Sequence, residues 1–334
     1  MAERVVIVGV RRGGSFVSVG ELRQMAGRAG RIHGGPSAQV EVIVQSDDEE
    51  YAREAIGGDV NLEAISVIGD IETMSFHILP EICAGNITDI NTAETWYQRS
   101  FHAFSGGRQD FHAVFSYLRG MEAITWRSGV KPTLLGHLAS SFYFHPADVL
   151  AWRDNFDQIF KQGLEDDDVA AAWALGNVPM RHFQGTFGNH WEIVDEFMSC
   201  LPSDLEVRDG CLVSSVLWWN VIGGPSVGPM RNCVLQIRKD SPRVFALLKR
   251  IDREVAGWSK DKYFDEKQFQ SSRGIPLELL ELCLLPGVGK SMAYCLYNVD
   301  IRSRSDVISE AGLNDLATDD EIGMAARGLA DGVF

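Results

Sequence analysis

Two apolar, β-branched runs stand out near the start of the chain, Val5-Val6-Ile7-Val8 and Val40-Glu41-Val42-Ile43-Val44. Runs of this kind suit parallel strands buried on both faces. Two strands do not make a stable sheet alone, and parallel strands need a crossover connection. Residues 1–46 have room for one short helix, so they read as a piece of a larger sheet. Between the runs, Arg11-Arg12-Gly13-Gly14-Ser15 sits between the apolar ends Val8-Gly9-Val10 and Phe16-Val17-Ser18-Val19. That pattern predicts a hairpin with a glycine turn. The polar, Gly-containing stretch 47–72 reads as a linker.

From Thr73 the periodicity turns helical. Phe76, Ile78, Leu79, Ile82 and Cys83 form one apolar face that Gly85 stops, with Pro80 as a kink point. Asn91-x-x-Glu94 has the form of a capping box opening a helix with Trp96, Tyr97 and Phe101. A third helix carries Phe111, Val114, Phe115 and Leu118. Ala123-Ile124-Thr125-Trp126 and the segment after Gly129 then suggest a two-stranded wing. Three helices and a wing make a winged-helix module over 73–146. It reads as a packing spacer, because no basic cluster marks a recognition helix. Residues 147–270 are mostly helical in pattern. Within them Ser241-Pro242 predicts an N-cap followed by proline at the first helical position. Val244, Leu247, Leu248, Ile251 and Val255 would form the buried stripe, and Gly257 the stop. Arg243, Arg250 and Arg253 project from another face. In 271–334, Leu285-Pro286-Gly287-Val288-Gly289-Lys290 joins two helices, the second holding Met292, Ala293, Cys295 and Leu296. This is similar to a helix-hairpin-helix, in which glycines admit a phosphate to the amides at a helix start.

Composition narrows the functional classes. The 334 residues suffice for two or three domains, and 45% apolar with 23% charged residues is ordinary for a globular protein. A net charge of −15 argues against a general nucleic-acid coat protein, so any DNA contact must come from local basic patches. Arg231–Arg253 is such a patch, with seven basic residues against two acidic ones. The acidic runs Asp47-Asp48-Glu49-Glu50 and Glu165-Asp166-Asp167-Asp168 read as solvated surface. Six scattered cysteines without a C-x-x-C pair, and eight histidines without a ligand pattern, indicate neither a zinc site nor a disulfide framework. The expected setting is reducing, the cytoplasm or nucleoid. No run spans a bilayer or forms a signal peptide, so no membrane partner is expected.

The densest chemistry lies in Gln24-Met25-Ala26-Gly27-Arg28-Ala29-Gly30-Arg31. Two arginines stand three apart behind a glutamine, in a turn loosened by two glycines. The forked guanidinium suits phosphate oxygens and stays charged at any working pH. A phosphate loop of its own is missing. The nearest candidate is Gly289-Lys290-Ser291, where Leu284 occupies the first glycine position and an apolar helix over 277–285 replaces the strand. No Asp-Glu-x-Asp or Asp-Glu-x-His tetrad is present to hold magnesium.

The octapeptide resembles motif VI of superfamily 2 helicases, the arginine-finger segment of their second RecA-like domain. In order, the parts resemble Ski-like helicases, especially archaeal DNA-repair helicases and the helicase part of DNA polymerase theta. Glu3–Val8 is similar to the strand after motif V, Phe76-His77-Ile78-Leu79 to the start of the winged helix, and Lys131–Gly136 to the family stretch at its exit. The resemblance implies a mixed, mainly α chain: a partial RecA-like segment (1–46), a linker (47–72), a winged helix (73–146), a ratchet-like helical bundle (147–270) and a helix-hairpin-helix domain (271–334). It implies the C-terminal subunit of a split ATP-dependent DNA helicase. Gln24, Arg28 and Arg31 would complete an ATP site in trans, with Arg28 and Arg31 catalytic. ATP and magnesium would be held mainly by a motor chain carrying motifs I to V. Arg11, Arg12, Gly13 and Gly14 match the strand-separating hairpin. Single-stranded or forked DNA would follow Arg243, Arg250 and Arg253 and end at Gly287, Gly289 and Lys290. Asp240-Ser241-Pro242 should interrupt the ratchet helix. The alternatives are a DNA-binding or regulatory protein that lost its motor, and an RNA helicase subunit.

Overall fold

The computed structural model describes residues 4–12, 15–29, 39–57, 66–179, 191–207, 211–221, 230–314 and 316–332. They fall into two compact units, Met1–Ser66 and Val67–Phe334. The first unit holds β1 (Arg4–Val8), β2 (Arg11–Arg12), β3 (Ser15–Phe16), α1 (Val19–Ala26), β4 (Gln39–Ile43) and α2 (Glu49–Gly57). Strands β1 and β4 are parallel, in register from Arg4 opposite Gln39 to Val8 opposite Ile43. Ile7 is buried against α1 and α2 with Leu22, Ala52 and Ala55, and Val5, Val40 and Val42 pack beside it. The opposite face stays open: Val6, Val8 and Ile43 are 46%, 78% and 55% exposed. The runs therefore form parallel strands, but are covered on one face only.

The stretch 47–72, read as a linker, is partly folded. Helix α2 supplies Ala52 and Ala55 to the core just described. Asp48, in the acidic run read as solvated surface, is buried, and its carboxylate accepts from Arg11 Nε at 2.9 Å. Phe16 stacks on Tyr51 at 4.1 Å, and the Tyr51 hydroxyl donates to the Val17 carbonyl at 2.5 Å. The β2–β3 hairpin is thus pinned to the turn before α2 and to α2 itself.

Among its described residues the second unit is helical apart from one hairpin. It runs α3 (Ile71–Cys83), α4 (Ile90–Tyr97), α5 (Phe101–Phe104), α6 (Phe111–Gly120), then β5 (Ile124–Trp126) antiparallel to β6 (Val130–Pro132). After these come α7 (Leu134–Phe142), α8 (Pro146–Gln162), α9 (Asp168–Gly176), α10 (Trp191–Cys200) and α11 (Cys211–Val221). The chain closes with α12 (Met230–Ile251), α13 (Asp261–Arg273), α14 (Leu280–Cys283), α15 (Lys290–Asn298), α16 (Arg304–Glu310) and α17 (Asp319–Asp331). One core runs from Met74 to Phe264. A second, built from Ile275, Leu282, Val288, Leu296, Val307, Ile322 and Ala326 among others, belongs to the last helices.

Two helix starts differ from the sequence reading. Helix α4 is capped by Asp89, whose carboxylate accepts from Thr92 N at 2.8 Å while Thr92 Oγ1 accepts from Asp89 N at 3.0 Å. The capping box therefore lies two residues before Asn91-x-x-Glu94. Helix α12 does not begin at Pro242; it runs through it. A mid-helix proline costs about 3 kcal/mol. The half of the helix after the proline is anchored by buried Val244, Phe245, Leu247, Leu248 and Ile251, at about 1.5–3 kcal/mol per side chain. A π-helical turn, Asp252–Ala256, then ends at Gly257, whose φ of 69° closes the helix. Buried Asp252 accepts from Ser259 N at 2.8 Å and Lys260 N at 2.6 Å, fixing the exit.

The acidic run 165–168 is also structural. Asp167 caps α9, accepting from Val169 N at 2.7 Å. Glu165 pairs with Lys260 at 2.9 Å, and Asp168 pairs with the buried ammonium of Lys267. Removing one partner of a buried pair strands the other charge, at a cost of about 3–5 kcal/mol. Lys267→Ala should lower unfolding free energy by about 3 kcal/mol in a urea titration. An unchanged midpoint would show that the pair contributes nothing.

His145 ties α3 to α8. Its Nδ1 accepts from Ala147 N at 3.2 Å, capping α8, so Nδ1 carries no proton. Its Nε2 lies 3.2 Å from the Glu72 carbonyl and therefore donates to it. Only the neutral ring with a proton on Nε2 makes both bonds. Burial pushes its pKa below the ordinary 6.5. A base with a depressed folded pKa leaves the fold intact at neutral pH. Stability falls as pH drops from 6.5 toward the depressed value, where the unfolded chain takes up a proton that the folded one refuses. His145→Asn keeps a capping oxygen and removes the titration. Unfolding curves between pH 7.5 and 5 should therefore converge for wild type and variant as pH falls. Parallel pH dependences would contradict this.

Candidate functional site

The loop between α14 and α15 is where geometry and charge meet. Leu285 and Val288 are buried and anchor it, while Pro286, Gly287 and Gly289 are exposed. Gly287 has φ +77°, a conformation that suits glycine, and a Cβ there would lie 2.5 Å from Arg327 Nη1. Gly323 on α17 admits the Pro286 carbonyl; its Cβ would lie 2.3 Å from that oxygen. Gly289 is the N-cap of α15 in extended geometry, φ −89° and ψ 167°, and brings no side-chain acceptor. The first amides of α15 thus keep their capacity to bind an anion.

Cations gather around this loop. Lys290 Nζ donates to the Gly274 carbonyl at 2.7 Å and lies 5.9 Å from the Tyr294 ring centre. Its pKa is lowered, first by burial and then by the nearby Arg238 charge. Arg273 sits over the Phe269 ring at 4.2 Å. Burial raises the Cys283 thiol pKa, and Arg273 and Lys290 pull against it. Among the described residues neither Arg273 nor Arg327 has a carboxylate partner. The fold therefore places Arg238, Arg273, Lys290 and Arg327 at one glycine-rich helix start.

The arginine stripe of α12 is differently placed. Arg243 donates to the Phe142 carbonyl at 2.8 Å, caps the end of α7 and lies 4.9 Å from the Phe144 ring centre. Arg250 pairs with Glu254, and Arg253 grips Asp261 through two nitrogens at 2.9 and 2.6 Å. All three side chains are about half exposed, and each already has an acceptor within the fold. Exposed pairs of this kind contribute little and exchange readily.

In the first unit, Ser18 caps α1, accepting from Glu21 N at 3.3 Å. Gly27 N donates to Arg23 O at 2.8 Å, and Arg28 follows on the turn, an ordinary place for a cation at a helix C-terminus. Arg28 lines a cleft of about 410 Å³ with β1, Arg11, Arg12, Val17 and Met25. Arg11 is held by Asp48, which raises its pKa, and Arg12 by Glu21 at 3.2 Å. Among the described residues Arg28 has no carboxylate partner. Gln24 is exposed on α1 and does not line the cleft. Arg31, Gly13 and Gly14 lie outside the described residues.

No protein-family model matches the chain. Over 325 residues it is 23% identical to the ATP-dependent DNA helicase Hel308 of Thermoplasma acidophilum. The alignment covers 92% of this chain and 46% of the helicase, so the chain spans about half the length of that relative. The relationship to a helicase runs along nearly the whole chain.

Gly287, Gly289 and Lys290 are the residues expected at this loop from the sequence; Arg238, Arg273 and Arg327 are neighbours that no such expectation named. Arg238 lies in the basic segment and had a signal. Arg327 had none, because only the packing of α17 on the loop brings it to Gly287. The two glycines should respond differently to substitution. Gly287→Ala forces a left-handed alanine and should cost about 1–2 kcal/mol. Gly289→Ser enters open space at an extended N-cap and should stay within about 0.5 kcal/mol of wild type. Thermal denaturation distinguishes them, and equal costs would contradict the geometry.

Proposed function

We propose that this chain is the C-terminal, DNA-binding part of an ATP-dependent DNA helicase whose motor is carried on a partner chain. The observation that carries the reading is the alignment with a helicase over 92% of the chain, joined to the Gln24–Arg31 motif. Under it, α3, α4, α6 and the β5–β6 hairpin correspond to a winged helix. Helices α8 to α13 correspond to the ratchet bundle, and α14, α15 and the loop between them to a helix-hairpin-helix. DNA phosphates meet the amides of α15 and the cations Arg238, Lys290 and Arg327. The α12 arginines add contacts by exchanging their present carboxylate partners.

ATP with magnesium would supply the phosphoryl transfer that drives movement. The fit on this chain is limited to charge. Arg28, which has no carboxylate partner among the described residues, suits a phosphate, and the acidic groups that hold magnesium are assigned to the partner. Gln24 and Arg31 join Arg28 in this assignment. Arg11 and Arg12 flank the same cleft, and their ion pairs make the hairpin a brace for it.

The purified chain should not hydrolyse ATP with DNA present. Adding a motor chain with motifs I to V should start turnover, and Arg28→Ala in this chain should reduce it about 10³-fold. Turnover by the isolated chain that Arg31→Ala abolishes would overturn the division of labour. Separately, the chain should bind single-stranded and forked DNA with an affinity that falls with salt. Neutralising Arg238, Lys290 and Arg327 together should flatten the log–log salt slope by about two units. Gly289→Ser, whose hydroxyl occupies the α15 amides, should weaken binding without unfolding the protein. An unchanged slope and affinity would place the DNA elsewhere.

A further inference from the structure

Helix α5 and the loop after it carry an exposed aromatic pair that no role above uses. Phe104 is 86% exposed and Phe101 49%. Their ring centres are 6.3 Å apart and their planes are tilted by 30°. Single exposed apolar residues are ordinary on a surface, but two adjacent rings on a fixed support are less so. The support is fixed. His102 lies between them in sequence and bonds the Tyr97 hydroxyl at 2.7 Å through Nδ1. Gly69 and Gly107 close on its ring; a Cβ at either would come within 3.0 or 2.4 Å of Nε2. Ser100 caps α5, accepting from Ala103 N at 3.2 Å, and Ser105, Gly106 and Gly107 each donate back into the turn.

The charge along this segment of the sequence is one-signed. From Thr95 to Gln109 there is no aspartate or glutamate, in a chain with 46 of them. Arg99 and Arg108 bracket the rings in sequence, both are exposed, and neither has a carboxylate partner among the described residues. Of the carboxylates beside this segment, Asp110 is committed to capping α6, accepting from His112 N at 2.9 Å, and Asp70, next to Gly69, to capping α3, accepting from Thr73 N at 2.7 Å. Glu94 stands on α4 before the segment. Aromatic faces between cations suit bases and phosphates respectively. An apolar protein partner would leave both arginines unmatched.

We propose that Phe101 and Phe104, bracketed by Arg99 and Arg108, form a stacking platform for single-stranded nucleic acid. The module around α3 to β6 is then a second contact for the strand and not a packing spacer. This rests on the reading that the chain binds nucleic acid, and adds a site remote in sequence from the α14–α15 loop.

The test is fluorescence anisotropy of the full chain with a labelled oligothymidine at several salt concentrations. Phe101→Ala with Phe104→Ala should weaken binding about tenfold or more and leave the salt slope unchanged. Phe104→Tyr should bind as wild type, whereas Phe104→Leu should weaken binding as Phe104→Ala alone does. Arg99→Ala with Arg108→Ala should flatten the slope by about 1.4 units. Wild-type affinity in the double phenylalanine variant would overturn the platform while the DNA-binding reading stood. Equal binding by the leucine and tyrosine variants would overturn stacking and leave an apolar protein contact. Failure of the wild-type chain to bind any single strand would overturn both readings.

Discussion

The second unit is organised by the burial of one face of α12. Val244, Phe245, Leu247, Leu248 and Ile251 are sealed against neighbouring helices. The helix continues through Pro242, and that burial anchors the half that follows the proline. The continuous helix sets Arg238 near Lys290, which a break at Pro242 would have left unconstrained. The same rotation turns Arg243, Arg250 and Arg253 outward, toward acceptors on α7 and around the exit of α12. One apolar stripe thereby decides which cations stand at the glycine loop and which are tied up along the helix.

Charge pairing is a second constraint. The chain has 46 acidic and 31 basic residues, so a cation that meets no carboxylate needs a reason. Lys267 lies buried with Asp168, Lys260 meets Glu165, and Arg153 meets Glu122 at 2.5 Å. Arg28, Arg99, Arg108, Arg273 and Arg327 have no carboxylate partner among the described residues. Phosphate binding needs charge that is not already spent within the fold. The unmatched arginines are therefore better guides to a polyanion than the basic residue count of a segment.

Much of the local structure was legible in the sequence. The parallel pair β1–β4, the β2–β3 hairpin, the helices around Ile78 and Phe115, the β5–β6 hairpin and the stop at Gly257 follow from periodicity and turn chemistry. The misses share a cause. The start of α12 at Pro242 was a local rule that the helix does not obey, since it begins at Met230. The acidic runs looked solvated because their partners Arg11, Lys260 and Lys267 lie 37 to 99 residues away in sequence. At the candidate site the glycines were legible through their turn chemistry. Arg327 was not, since no spacing in the sequence connects it to Gly287. The open face at Val6, Val8 and Ile43 was likewise invisible, because an apolar run does not say how many of its faces are covered.

The proposed meeting point of single-stranded DNA and this chain is the start of α15. Hydrogen–deuterium exchange, read by mass spectrometry with and without single-stranded DNA, tests it most directly. Slowed exchange of the amides over 287–292 is expected when DNA is present. Protection confined to the α12 face at 243–253, with 287–292 unchanged, would contradict it.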